Sequence, residues 1–187
     1  MTWNPPNLLS LLRLLLAPLV VWMILQHHFS IALGTFLIAG VSDALDGYLA
    51  RRFNWTTKEG AYLDPVADKV LLVTVYLSLG AIESVPGWLV WLVLGRDVLI
   101  LSLVGVGYAV LGLREFAPTF AGKVSTILQV TAAVITIAYQ ASVGSPLLEA
   151  FWLIAIGFAG LGTAVSGLHY MFVAVSRWQQ ARDSVLR

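Results

Sequence analysis

The sequence has no cysteine, which excludes disulfide bridges and thiolate metal centres and leaves the compartment open. Charge is scarce as well. Asp, Glu, Lys and Arg make up 11% of the residues, against about a quarter in an ordinary soluble domain. The net charge is +1 and no basic tract occurs, so nothing here suits a nucleic-acid backbone. Internal repeats, low-complexity segments and a separate extramembrane domain are all missing. The expectation is a single integral-membrane domain over residues 1–187.

What the chain does have is apolar length. Hydrophobic residues are 59% of it, and runs near the twenty-residue length of a membrane helix recur. The expected fold is all-α, with six transmembrane helices at 8–26, 30–50, 62–82, 86–111, 119–141 and 147–174. Arg13 interrupts the first run and no small-residue cleavage site follows, so this run is not expected to be a signal peptide. Trp3, Trp55, Trp88, Trp152 and Trp178 fall near span ends, as in an interfacial belt. The connections near 27–29, 82–86 and 141–147 carry no Lys or Arg. Arg51, Arg52, Lys58, Arg114, Arg177, Arg182 and Arg187 lie toward the other face. By the positive-inside rule both termini are cytoplasmic, in a bacterial-type inner (plasma) membrane.

Against this background the stretch "SDALDGYLARRFNWTTKEGAYLDPVADKV" is anomalous, because it holds Asp43, Asp46, Asp64 and Asp68. Asp43, Asp46, Gly47, Ala50 and Arg51 follow helical spacing along one face. Gly60, Asp64 and Asp68 step by fours along another. Thr56, with Glu59 three residues on, reads as a capping box that starts the third helix. Two carboxylates about 5 Å apart repel by roughly 3 kcal/mol at an effective dielectric near 20. Four together need protons or bound cations. Carboxylate oxygens without His or Cys favour hard ions such as Mg²⁺ or Mn²⁺. Four aspartates suffice for two ions, and paired divalent ions serve in-line phosphoryl displacement. Gly47 and Gly60 would let a flat ligand reach the backbone, and Arg51 suits a phosphate.

The pattern Asp-x2-Asp-Gly-x2-Ala-Arg-x8-Gly-x3-Asp-x3-Asp, from Asp43 to Asp68, resembles the signature of the CDP-alcohol phosphotransferase family at every fixed position. The opening "NPPNLLSLLRLLLAP" and the hydropathy are similar to that family too. The resemblance implies a homodimer of six-helix subunits with the active site at the cytoplasmic side. It implies cleavage of a CDP-alcohol, transfer of the phosphoalcohol to a hydroxyl, and release of CMP. By the resemblance Asp43, Asp46 and Asp64 are metal ligands, and Asp68 is both a ligand of the second metal and the general base. Gly47 and Gly60 make room for cytidine, while Arg51 and Thr57 touch the nucleotide, with Asn7 and Ser10 also near its pocket.

Within the family, "SIALGTFLIAGVSDALDGYLAR" and "APTFAGKVSTILQV" look most like the eukaryotic-type, cardiolipin-forming branch. That branch takes CDP-diacylglycerol as donor and phosphatidylglycerol as acceptor. The rival acceptor is glycerol 3-phosphate, giving phosphatidylglycerophosphate. Arg96 and Lys123 are the expected ligands of the acceptor phosphate. Arg96 lies about ten residues into its helix, roughly 15 Å deep, where an arginine should face a polar cavity. The position two turns later is Val104, where the rival branch commonly has a second arginine. One fewer cation suits a singly charged phosphodiester.

Other readings attach to single residues. His27 and His28 read as loop surface, and His169 as a packing histidine on an apolar helix. Arg13 reads either as a phosphate contact or as a snorkelling rim residue. Lys69 tunes its neighbour Asp68 or covers a dimer seam. Membrane carboxylates also occur in cation transporters, but there they lie near the midplane of repeated halves.

Overall fold

A computed structural model of the chain describes the backbone of residues 5–53, 58–111, 119–142 and 145–185. Within the helices, the side chains of 5–9, 43, 44, 46–51, 53, 58–65, 107–111, 177, 178 and 180–185 lie outside the described residues. The described residues form six helices and no strand. They are α1 (Pro5–Leu25), α2 (Phe29–Phe53), α3 (Lys58–Ala81), α4 (Gly87–Leu111), α5 (Phe120–Ala141) and α6 (Pro146–Val185). Each expected span falls on one of them. The largest difference is α6, which runs to Val185 and not 174. The apolar run stops near 176, but "SRWQQARDSV" is rich in good helix formers, so the helix continues into polar sequence.

Two of the connections are closed by the same device. His27 donates its N–H to the Ile24 carbonyl at 3.0 Å, and His28 donates to the Met23 carbonyl at 2.8 Å. Glu83 donates to the Gly80 carbonyl at 3.0 Å, and Ser84 to the Leu79 carbonyl at 2.9 Å. Both are Schellman caps, which satisfy the last carbonyls of α1 and α3. The left-handed position, usually glycine, is filled by His27 (φ 59°) and Glu83 (φ 57°). A Cβ there costs roughly 1–2 kcal/mol. Glu83→Gly is therefore expected to stabilise the protein by about 0.5–1 kcal/mol after the loss of unfolded-state restriction. A thermal midpoint raised by a few degrees in detergent would show it, and a lowered one would refute the strain. His27 and His28 are exposed, as expected of loop surface.

The chain divides into two compact units, with boundaries that fall inside α5 and α6. One comprises residues 1–86 and 133–152, the other 87–132 and 153–187. In the first, α1 packs against both α2 and α3. Its buried stripe is Ser10, Arg13, Ala17, Val20 and Ile24, at alternating steps of three and four. Ala32, Phe36 and Ala39 of α2 are buried, as are Ala67, Leu71, Leu72, Val75, Tyr76 and Leu79 of α3. The alanines permit close backbone approach, the usual currency of helix contact in lipid.

In the second unit the buried positions include Leu89, Val93 and Arg96 on α4 and Ser125 and Gln129 on α5. Those on α6 include Ile156, Ala159, Thr163 and Ser166. A Cβ on Gly160 would lie 2.7 Å from the Trp88 ring, so α6 passes this bulky side chain only by lacking one of its own. Gln129 donates to Thr163 Oγ1 at 2.9 Å and to Ser125 Oγ at 3.3 Å.

The outer faces are apolar. Leu15, Ile38, Trp91, Leu101, Phe120 and Phe172 are all more than half exposed. So many large apolar side chains facing outward suit a lipid surrounding better than water. Hydroxyls of Thr35, Ser42, Thr74, Thr126 and Ser176 donate to the carbonyl four residues back, which satisfies them in apolar surroundings. Three described stretches are long and apolar enough to cross a membrane: Gly87–Val106, Phe120–Ala141 and Pro146–Ser176. Ser10–Leu25 and Phe29–Ser42 are shorter apolar helices. Membrane association follows from these helices.

Candidate active site

The four aspartates lie on helical backbone, Asp43 and Asp46 on α2 and Asp64 and Asp68 on α3. The one-turn spacing expected of each pair is therefore realised in the chain's local structure. Of the four, only Asp68 has a described side chain. Asn7, Asp43, Asp46, Gly47, Arg51, Thr57, Gly60 and Asp64 lie outside the described residues in this respect. No group of three potential metal-ligating side chains occurs among the described residues, which include one of the four aspartates.

Asp68 is paired with Arg13. Arg13 Nη1 donates to Asp68 Oδ1, an ion pair between α1 and α3 within the first unit. The two ends differ sharply in exposure: the Arg13 side chain is 1% accessible and that of Asp68 47%. Arg13 does not snorkel. It sits on the buried stripe of α1, seven residues before Val20 and three after Ser10, and packing holds it there. Ser10, expected near the nucleotide, is itself fully buried on that stripe. Lys69 is half-buried beside Asp68.

In the second unit Arg96 is the centre of a polar knot. It is 8% exposed. Its Nη1 donates to Asp97 Oδ1 at 2.7 Å. Its Nε and Nη2 donate to Ser166 Oγ at 3.2 and 2.9 Å. The guanidinium also lies over the Tyr170 ring, 5.7 Å from its centroid. The Tyr170 hydroxyl accepts the Thr119 N–H at 3.1 Å, and Thr119 Oγ1 caps α5 by accepting the Gly122 N–H at 3.1 Å. A Cβ at Gly122 would lie 3.1 Å from Tyr170 and 3.2 Å from Arg96, tighter than most such contacts, so the glycine eases the fit of the knot. Lys123 follows directly, with an exposed side chain. Arg96 thus faces polar groups of its own unit.

Some details were not legible beforehand. The partners Ser166 and Tyr170 lie about 70 residues from Arg96, beyond any local pattern. Arg13 had a readable signal in its three-and-four spacing with Ser10 and Ala17. His169 is exposed, which corrects its reading as a packing residue. It falls with Leu168 and Phe172 on the outer face of α6 and off the stripe through Thr163 and Ser166. In the expected tryptophan belt, Trp88 is exposed and Trp152 stacks on Tyr139 at 5.6 Å; Trp3, Trp55 and Trp178 lie outside the described side chains.

A family model described as CDP-alcohol phosphatidyltransferase matches residues 3–176. The chain belongs to the CDP-alcohol phosphatidyltransferase family. Members of this family generally depend on divalent cations. The all-oxygen donor set of the four aspartates fits such ions. The rat protein "Cardiolipin synthase (CMP-forming)" is 36% identical over 194 aligned positions, covering 90% of this chain and 61% of its own length. The human protein of the same name is 35% identical, covering 90% of this chain and 62% of its own length. A Cereibacter sphaeroides "CDP-diacylglycerol–glycerol-3-phosphate 3-phosphatidyltransferase" is 40% identical over 135 positions, 70% of this chain and 56% of that protein. The chain spans about three fifths of the length of the two cardiolipin synthases it matches. Family membership displaces the cation-transporter reading.

Proposed function

We propose that the chain transfers a phosphatidyl group from CDP-diacylglycerol to phosphatidylglycerol, forming cardiolipin and CMP. The observation that carries this is the similarity to two proteins named as CMP-forming cardiolipin synthases across 90% of the chain. Residues 1–187 work as one integral-membrane domain of six transmembrane helices, in a homodimer. The loops free of Lys and Arg support an active site on the cytoplasmic face of a bacterial-type plasma membrane, with both termini inside.

Asp43, Asp46, Asp64 and Asp68 would hold two divalent cations, Mg²⁺ or Mn²⁺, which would supply positive charge against the pyrophosphate and the CMP leaving group. Asp68 accepts the proton of the acceptor hydroxyl. That oxygen bonds to the lipid-bearing phosphorus, and the bond from this phosphorus to the CMP oxygen breaks, its electron pair leaving with CMP. Gly47 and Gly60 admit the cytidine. Arg51 and Thr57 orient the nucleotide, with Asn7 and Ser10 nearby. Arg96 and Lys123 bind the acceptor phosphate. Because Asp97 lies 2.7 Å from Arg96, the three side chains carry one net positive charge, which matches a phosphodiester monoanion.

The runner-up acceptor is glycerol 3-phosphate, favoured by the similarity to the Cereibacter enzyme. Purified protein given CDP-diacylglycerol and either acceptor separates them by product mass. Cardiolipin in the phosphatidylglycerol tube is expected. Product only with glycerol 3-phosphate would replace this acceptor with the rival.

A further inference from the structure

From the ion pair of α1 and α3 we infer that Arg13 is a positioning residue for Asp68. The inference rests on the reading of Asp68 as general base. Its physical basis is the asymmetry of the pair. Arg13 is 1% accessible, so of the two partners it is the carboxylate and not the guanidinium that is presented outward. Asp68 is 47% accessible, so its carboxylate remains open to a hydroxyl. A half-exposed carboxylate on a helix otherwise samples several rotamers. Here one oxygen is held by a donor whose own stem is fixed between Ser10 and Ala17, on the face where α1 meets α3.

Arginine suits this task better than lysine. Its guanidinium is planar and its N–H groups have fixed directions, whereas an ammonium is a point charge on a flexible stem. The carboxylate has two oxygens and about four lone-pair sites, so a donor on Oδ1 leaves acceptor capacity for the chemistry. A base displaced by about 1 Å loses on the order of 100-fold in rate. Binding of the donor should not change.

The test is steady-state kinetics of the full chain with CDP-diacylglycerol and phosphatidylglycerol. Arg13→Ala is expected to lower kcat about 100-fold with KM for CDP-diacylglycerol within about twofold. Arg13→Lys should recover to within about tenfold of the parent. In an Asp68→Asn background, adding Arg13→Ala should change the residual rate by less than about twofold, because the two act as one unit. A raised KM at constant kcat would overturn the inference, as would losses that multiply in the double variant. If Arg13→Ala does not fold, the split of kcat from KM is read from Arg13→Lys. An active parent with fully active Arg13 variants overturns the positioning role alone. A parent that releases no CMP overturns the transferase reading and this inference with it.

Discussion

Asp68→Asn is expected to lower CMP release about 10³-fold while leaving a folded protein that still binds CMP. An amide keeps an oxygen for Arg13 Nη1 to donate to, so the α1–α3 contact persists in weakened form. A charge-assisted bond is roughly twice as strong as a neutral one, so the thermal midpoint should fall modestly. What the amide cannot do is accept a proton from the acceptor hydroxyl. Turnover and CMP binding measured on the same preparation separate the two effects. Unchanged turnover would remove Asp68 from the role of base.

Chelation of divalent cations is expected to bring CMP release down to background, with activity returning on adding Mg²⁺ or Mn²⁺. The four aspartates lie within 26 residues of sequence, on two helices of an apolar chain. Carboxylates brought about 5 Å apart without cations would repel by roughly 3 kcal/mol per pair. The same ions should therefore raise the thermal midpoint as they are titrated in, since a ligand that binds only the folded state stabilises it. Full activity in excess chelator would refute metal dependence, and an unmoved midpoint would place the ions elsewhere.

Apolar length made the six helices legible, since each expected run falls on one of them, and three are long and apolar enough to cross a membrane. The ends were less so. Helix α6 outran its apolar stretch since polar helix formers extend it at little cost, and hydropathy cannot register that. The aspartate spacing on α2 and α3 could be read because helical periodicity is local. The Arg13–Asp68 pair could not, as its partners are 55 residues apart. The same is true of Arg96 with Ser166, which only the folded second unit brings together. Sequence reading left Arg13 between a phosphate contact and a snorkelling rim residue, and its burial decides against snorkelling.

The polar contacts of the second unit also index its helices. Sliding α6 by one turn, about 5.4 Å, would separate Gln129 from Thr163 and Arg96 from Ser166 in a single step. It would also move Gly160 away from Trp88 and bring a side chain against the ring. Unit two thus has one axial setting, like a key with several teeth. Within this unit the helices cannot shear past one another by a turn without breaking all of these contacts together.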